Sequence, residues 1–281
     1  MAFGLEAIDW QAPWLSHLRG VGLQAAQEVS ETKAVCEVLN GLRHPTTRQP
    51  AAVQFIAQNH QPNGMPYESC VFEHQQCPTR NNVHDFFNGL CWHHFPQTKA
   101  RINQLHAEQI ALCGSSTQRG TVRDALTLLD ENGAFLIAPA PLWQALLVKD
   151  WQSLFITHRK LWQQSQLILF GHALMEKLVT PRKAITAHVY ILNATNLIAS
   201  QAINTPHTAI FDHYFSQTAP VQPNLQQIDA LIANDLQADT MRQKPFAPLP
   251  ILGVPQWCKD NEDPHYYADT QVFRQPAKTS T

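Results

Sequence analysis

Two short segments of this sequence each place a histidine close to a carboxylate. His84 is followed directly by Asp85, and His172 precedes Glu176 by four residues. Residues four apart lie on one face of an α-helix, so His172 and Glu176 could share a proton or bind one metal ion. Imidazole and carboxylate groups also serve as general acids and bases. The two segments therefore predict acid–base or metal chemistry, provided that they meet at a common cavity.

Polar neighbours of these segments extend the candidate set. We predict catalytic roles for five side chains: His84, Asp85, Asp124, His172 and Glu176. We predict that three others bind the ligand: Arg80, Asn88 and Arg123. A divalent metal, if one is bound, is expected on His84, His172 and Glu176. An arginine can grip a carboxylate or phosphate with two hydrogen bonds. The alternative for Arg123 and Asp124 is an internal ion pair between a hairpin and a helix.

Each candidate also has a structural explanation. Asp85 falls in the first turn of a predicted helix, where the helix dipole favours a carboxylate, and either Asn81 or Asn82 can cap that helix. Glu176 could form a surface pair, and His172 could bond to a neighbouring loop. The sequence Asp-Glu-Asn-Gly at residues 130–133 offers paired carboxylates. Asn-Gly is typical of a hairpin tip, however, so we assign this segment to a turn.

The elements that must position these residues are mostly helical. Apolar residues recur at helical spacing in six segments, for which we predict helices: 22–42, 82–95, 97–113, 142–164, 167–179 and 225–236. Residues 126–129 and 134–137 read as the two strands of a hairpin. Residues 60–80 read as a loop. Four prolines between residues 245 and 255 predict an extended segment that packs across the body.

Together these elements predict an α+β, helix-rich fold. We expect mainly α-helices packed with a β-hairpin or small antiparallel sheet, and a Pro-rich C-terminal arm. The 281 residues lie at the upper edge of what one hydrophobic core supports. We expect a single globular domain over residues 1–281, with a flexible tail from about 275 to 281.

Composition does not support several classes of partner. The net charge is −2, so the protein has no excess of positive charge that would attract nucleic acid. The longest strongly apolar run, residues 167–175, is too short to cross a bilayer, and the N-terminus does not resemble a signal peptide. Six scattered cysteines differ from a secreted disulfide scaffold. We therefore expect a soluble cytoplasmic protein whose partner is a small molecule.

Several longer sequence motifs carry a family resemblance. They are Arg-Asn-Asn-Val-His-Asp-Phe-Phe-Asn at 80–88, Arg-Asp-Ala-Leu-Thr at 123–127, Gly-His-Ala-Leu-Met-Glu-Lys at 171–177 and Pro-Leu-Pro-Ile-Leu-Gly at 248–253. From about residue 67 onward the chain resembles a proteobacterial uncharacterised family, domain of unknown function 3025. The resemblance implies a compact, cytosolic bacterial protein and carries no activity. The chain departs from the family pattern at Gln256, where a glycine is expected.

Two functions remain open from the residues. The first is an enzyme acting on a small molecule, a metal-dependent hydrolase that uses a His/carboxylate cluster. The alternative is a non-catalytic binding or scaffold protein, in which the same polar residues form a structural hydrogen-bond network. The separation of His84 and His172 distinguishes the two, because a shared metal requires both imidazoles at one centre.

Overall fold

The protein is described by a computed structural model over residues 3–30, 32–43, 51–113, 120–192 and 224–275. The α+β, helix-rich class is confirmed. The α-helices are α1 (Arg19–Glu28), α2 (Val35–Gly41), α3 (Tyr67–His74), α4 (Val83–His94), α5 (Pro96–Cys113), α6 (Thr121–Asn132), α7 (Ala140–Leu147), α8 (His172–Lys177), α9 (Leu225–Asp235) and α10 (Ala238–Arg242). Residues 276–281, most of the expected tail, lie outside the described residues.

The strands form one four-stranded mixed sheet and one parallel pair. Their bounds are β1 (Gln54–Ala57), β2 (Gln76–Thr79), β3 (Gly133–Ile137), β4 (Gln166–Leu169), β5 (Thr186–Ile191) and β6 (Phe246–Pro250). The larger sheet has the order β4-β3-β5-β6, with β3 parallel to β5 and the other pairs antiparallel. β1 pairs with β2. The Pro-rich arm thus supplies an edge strand, where a residue without an N–H is tolerated.

The predicted hairpin at residues 126–137 is wrong in its first strand and its turn, whereas the strand predicted over 134–137 is confirmed as part of β3. Residues 126–129 belong to α6, and β3 follows that helix directly at Gly133. Val122, Ala125, Leu126 and Leu129 are all buried, and their spacing of three, four and seven residues is that of one helical face. The strand partners of β3 come from distant parts of the chain, so no local turn is needed.

The predicted helix over residues 167–179 is wrong in its first half. Gln166–Leu169 is strand β4, paired antiparallel with β3, and a helix begins only at His172. A continuous apolar run of four residues has no periodicity that separates a buried strand from a buried helix. His172 therefore lies at the start of a short helix.

Three other segments differ from their predictions. The helix predicted over 22–42 is two helices, because the chain is extended at Val29. The loop predicted over 60–80 contains α3 and β2. The helix predicted over 142–164 ends at Leu147, since Lys149 has a left-handed backbone with φ 55°. Shorter helical turns, Ser153–Thr157 and Arg159–Gln164, complete that stretch.

Helix α4 lies at the centre of the packing. Its side chains from Asp85 to His94 are all buried, and it contacts α2, α5, α8 and α9. Helices α6 and α8 also contact each other. None of the described helices combines the length and the apolar composition needed to cross a membrane. The arrangement brings one end of α4, α6 and α8 to the same place.

Candidate functional site

A cavity of about 390 Å³ opens where these helices converge. Each helix presents one polar face to it. Helix α4 contributes His84, Asp85, Asn88 and Trp92; α5 contributes Lys99, Ile102, Asn103 and His106; α6 contributes Thr127, Asp130 and Glu131. His172 of α8 completes this part of the lining. The spacings within each set are those of a single helical face.

The start of α4 is held by a side-chain cap. The Oδ1 of Asn82 accepts a hydrogen bond of 2.7 Å from the backbone N–H of Asp85. Such a cap satisfies one of the N–H groups that have no partner within the helix. It begins the helix at Val83 and so places His84 in the first turn, facing α8.

Gly171 lets the start of α8 approach the end of α6. A Cβ atom at this position would lie 2.5 Å from the backbone nitrogen of Gly133 and 2.6 Å from backbone atoms of Asn132. The N–H of Gly171 also donates to the carbonyl oxygen of Gly133 at 2.8 Å. The backbones at the start of α8 and the end of α6 therefore meet closely at Gly171. It places His172 beside the last turn of α6.

His84, Glu131 and His172 form a compact cluster of possible metal ligands. One ligand atom from each lies within 4.8 Å of the others. The rings of His84 and His172 have centroids 4.5 Å apart, with planes at 81°. Nε2 of His172 is 3.6 Å from Oε2 of Glu131. Two imidazoles and a carboxylate from three helices thus surround one point.

Glu176 contacts this cluster from outside the cavity. Its Oε2 lies 2.8 Å from Nδ1 of His84, and its side chain is 44% exposed. Contact with the carboxylate fixes the orientation of the imidazole and leaves Nε2 of His84 for another partner. The structure thus places Glu131, and not Glu176, beside both histidines.

Burial shapes the protonation of the cluster. Desolvation lowers the pKa of His172 from 6.5 to about 3, against the raising effect of the Asp130 charge. His172 is therefore a neutral imidazole with a lone pair to offer at neutral pH. Desolvation raises the pKa of Glu131, while His84 acts in the lowering direction. Burial thus disfavours the charged form of both His172 and Glu131.

A buried hydrogen-bond chain lies next to the cluster. Nζ of Lys99 donates to Oδ1 of Asp130 at 2.5 Å and to Oδ1 of Asn88 at 2.8 Å. Asn88 donates onward to the hydroxyl of Tyr67, which lies 3.1 Å from Sγ of Cys77. Burial raises the pKa of Asp130, but the charge of Lys99 and its hydrogen bond outweigh burial, so the net pKa is lowered. An ionised carboxylate is therefore held beside the histidines.

Asp85 and Arg80 form a separate ion pair at the cavity wall. Nη2 of Arg80 donates to Oδ1 of Asp85 at 2.8 Å, and its Nε donates to Oδ2 at 3.0 Å. The backbone N–H of Arg80 also donates to Oδ2 at 2.6 Å. Both carboxylate oxygens of Asp85 are thus occupied, although both residues line the cavity. This arrangement positions the chain before α4.

Arg123 and Asp124 do not line the cavity. Both lie near the start of α6, about two turns before Asp130 and Glu131. Nη2 of Arg123 is 3.9 Å from Oε1 of Glu68, and Asp124 is exposed. Of the eight predicted site residues, the cavity is lined by His84, Asp85, Asn88, His172 and Arg80.

Sequence reasoning missed three residues of the site: Lys99, Asp130 and Glu131. The two carboxylates were assigned to a hairpin tip, which is in fact the last turn of α6. The helical spacing of the apolar residues before them was the signal that could have shown this. Lys99 carried no signal, since a single lysine in a helix is most often at the surface.

Comparison with known proteins gives a family without an activity. The chain matches the family described as "Protein of unknown function (DUF3025)" over residues 53–277. No curated protein and no solved structure matches the chain. The match covers the whole cavity lining.

Proposed function

The chain belongs to this family of unknown function (DUF3025), and from the side chains of its cavity we propose that it is a metal-dependent hydrolase of a small molecule. One observation carries the proposal: possible ligand atoms of His84, Glu131 and His172 lie within 4.8 Å of one another. Two histidines and a glutamate are a protein ligand set of catalytic zinc enzymes, which leave a further position for water or substrate. The cluster adjoins the cavity, so a ligand can reach that position.

The protonation and orientation of the histidines support a metal. A neutral imidazole is the form that binds metals, and burial keeps His172 neutral. Glu176 holds His84 through Nδ1. A carboxylate on the far nitrogen of a ligand histidine is the usual support for such a ligand. In the proposed site, Nε2 of His84 and Nε2 of His172 are therefore the ligand atoms, with Oε2 of Glu131.

The charges around the cavity also favour a cation. Histidines aside, its lining has two cationic side chains and four carboxylates: Arg80, Lys99, Glu68, Asp85, Asp130 and Glu131. In a partly buried space an uncompensated negative charge is unfavourable. Arg123, which does not line the cavity, lies 3.9 Å from Glu68, so the uncompensated charge is that of Glu131, and a divalent ion would more than offset it.

The neighbouring residues suit hydrolysis. A divalent ion at this site supplies a bound water whose pKa is lowered toward neutrality. Asp130 is the carboxylate that we assign as the general base, because Lys99 keeps it ionised beside His172. The cavity volume is at the small end of the range for small-molecule sites.

Metal uptake tests the proposal. Metal-free protein is titrated with Zn²⁺ and with Mn²⁺, and bound metal is counted by elemental analysis. We expect one equivalent in the wild type and none in His172→Ala. His265→Ala is the matched control, because that side chain is 93% exposed and distant from the cluster in sequence. Equal metal content in wild type and His172→Ala would sink the metal site. Zinc-dependent hydrolysis of a panel of chromogenic esters, amides and phosphoesters then tests the activity.

A non-catalytic binding protein is the second candidate. The hydrogen bonding of Arg80 and Asp85 favours it, because every oxygen of that carboxylate is used within the protein. In this case Asp85→Asn would lower the melting temperature, and no variant would change a catalytic rate, because the protein would catalyse no reaction. Metal uptake by the wild type without any hydrolysis would support this candidate.

The setting of the proposed enzyme is a bacterial cytoplasm. The cysteines that the structure describes, Cys36, Cys70, Cys77, Cys91 and Cys258, are all free thiols. Free thiols are typical of proteins from reducing compartments. A small molecule is the proposed partner there.

A further inference from the structure

Lys99 is an unusually buried cation at the wall of the cavity. Its side chain is 3% exposed, and it lies in the first turns of α5. Lysine is almost never fully buried without a partner, because removing its charge from water is costly. Its position therefore calls for an explanation in terms of the groups around it.

The ammonium has one more donor than it has acceptors in the protein. A lysine carries three N–H donors. Nζ of Lys99 donates to Asn88 and to Asp130, and no third acceptor occurs among the described residues. The ring of Trp92 is 5.4 Å away, near the limit of a useful cation–π contact. One N–H remains for a group that enters the cavity.

The charges of the cavity fall into pairs. Arg80 pairs with Asp85, Lys99 with Asp130, and Glu68 lies 3.9 Å from Arg123. Glu131 is then the remaining charge of the lining. One divalent ion at the proposed metal site would neutralise the charge of Glu131 and leave one positive charge in excess. The loaded site thus has room for a single negative charge beside a free ammonium N–H.

We propose that Lys99 binds an anionic oxygen group of the substrate, a carboxylate or a phosphate, next to the metal site. The description of this anion as part of a substrate and the charge balance of the loaded site rest on the proposed function; the third N–H of Lys99 does not. Asn88 and Asp130 orient the ammonium so that its third N–H meets the anion. A charge-assisted hydrogen bond of this kind is about twice as strong as a neutral one.

Anion binding to the purified protein tests the proposal. The probes are inorganic phosphate and acetate, and their dissociation constants are measured by calorimetry on metal-free and on zinc-loaded protein. Lys99→Met alone would leave Asp130 buried without a counterion and could unfold the chain. The informative variant is therefore Lys99→Met/Asp130→Asn, in which both charges are removed together. Asp130→Asn is its matched control, because it keeps the ammonium; since it leaves Lys99 without its counterion, denaturant unfolding first establishes that both variants are folded.

Two comparisons decide the result. We expect the double variant to bind the better of the two probes about tenfold more weakly than the wild type, as loss of one charged hydrogen bond predicts. We expect Asp130→Asn to bind it at least as tightly as the wild type, because a negative charge has been removed. Equal binding by the double variant and Asp130→Asn, or no binding of either probe to the wild type, would overturn the proposal. Preference for phosphate or for acetate identifies the acidic group.

The metal titration separates this inference from the proposed function. If the wild type takes up no zinc but metal-free protein binds an anion through Lys99, the hydrolase proposal fails and the anion site stands. If zinc binds and the double variant retains its affinity for both probes, the metal site stands and the role of Lys99 is overturned.

Discussion

Two clusters of polar side chains in the described part of the chain differ in one respect. Around Asn261 the polar groups are hydrogen-bonded to one another. Around His84 and His172 they surround a cavity of about 390 Å³. Both clusters are largely buried, so burial alone does not reveal which of them could bind a ligand.

The closed cluster is saturated with hydrogen bonds. Nδ2 of Asn261 donates to the carbonyl oxygens of Leu252 and Val254 at 2.8 and 2.7 Å. Oδ1 of Asn261 accepts from Arg159 at 3.2 Å. The hydroxyl of Tyr267 lies 3.1 Å from Nη1 of Arg159, and its ring stacks on Phe155 with centroids 4.9 Å apart. This closed cluster fixes the chain after β6.

The open cluster leaves bonding capacity unused. One N–H of Lys99 has no acceptor among the described residues, and Nε2 of His84 is not engaged by Glu176. A fully satisfied network rigidifies a core, whereas a partly satisfied one at a cavity is a candidate binding site. The contrast shows that a binding site is recognised by hydrogen-bond donors and acceptors that have no partner in the protein and face a cavity.

The largest expected effect is in the closed cluster. Asn261→Ala would remove the side-chain donor to the buried carbonyl of Leu252 and one hydrogen bond each from Val254 and Arg159. An unmet buried group costs about 1–3 kcal/mol and a lost hydrogen bond about 1 kcal/mol, so we expect a loss of about 4 kcal/mol in the free energy of unfolding. Denaturant unfolding measures the change, and the folded fraction should retain its zinc stoichiometry.

Asn234→Ala on the exposed face of α9 is the control for this variant. It should change the free energy of unfolding by less than about 0.5 kcal/mol. A small effect of Asn261→Ala, or a specific loss of zinc binding, would remove the distinction between the two clusters.

Acid should destabilise the protein through the open cluster. The pKa of His172 is lowered from 6.5 to about 3 in the folded state. Above pH 6.5 the imidazole is neutral in the folded and the unfolded state. Below pH 6.5 it binds a proton in the unfolded state but stays neutral in the folded state. Stability is therefore lost as pH falls from 6.5 toward 3, by about 3 kcal/mol at pH 4.

Urea unfolding of metal-free protein between pH 7 and pH 4 measures this dependence. His172→Gln removes the titrating group, so its stability should change less steeply with pH than that of the wild type. Parallel curves for the two proteins would show that burial of His172 does not control the acid response.

The junction of α6 and α8 should respond to one added methyl group. In Gly171→Ala the new Cβ would meet backbone atoms of Asn132 and Gly133. Backbone must then move, which we expect to cost about 2–3 kcal/mol and to separate His172 from Glu131. Thermal unfolding and zinc affinity should therefore both fall.

Gly20→Ala is the matched control, because its Cβ would meet nothing within 4 Å. Alanine in a helix is more favourable than glycine, so this variant should be slightly more stable than the wild type. Unchanged zinc affinity in Gly171→Ala would mean that the close approach does not position the cluster.

The smallest expected effect concerns Glu176. Glu176→Gln weakens the contact that orients His84 without removing any proposed ligand. Loss of such a supporting group typically costs 10–100-fold in metal affinity. Competition with a chelator measures the change, while the melting temperature of the metal-free protein should stay constant, since Glu176 is 44% exposed. A complete loss of zinc would instead make Glu176 a ligand.

Local chemistry makes much of the helical framework predictable. The cap at Asn82, the start of α4 and the extended, Pro-rich β6 follow from residue types within a few positions of one another. The turn at Gln256 shows where such rules end. Its φ of 70° is one that glycine adopts most readily, yet Trp257 still closes the turn onto Val254. Packing can therefore impose a backbone that the local sequence does not favour.

The sequence by itself determined the class of fold, most of the helices and the two histidines to be tested. The tertiary structure alone decided which carboxylate stands beside them. Glu176 is four residues from His172 in the chain, but Glu131 reaches the cluster because Gly171 and Gly133 bring α8 against the end of α6. Helical spacing describes only one helix at a time, while a site built from several helices depends on how their backbones pack.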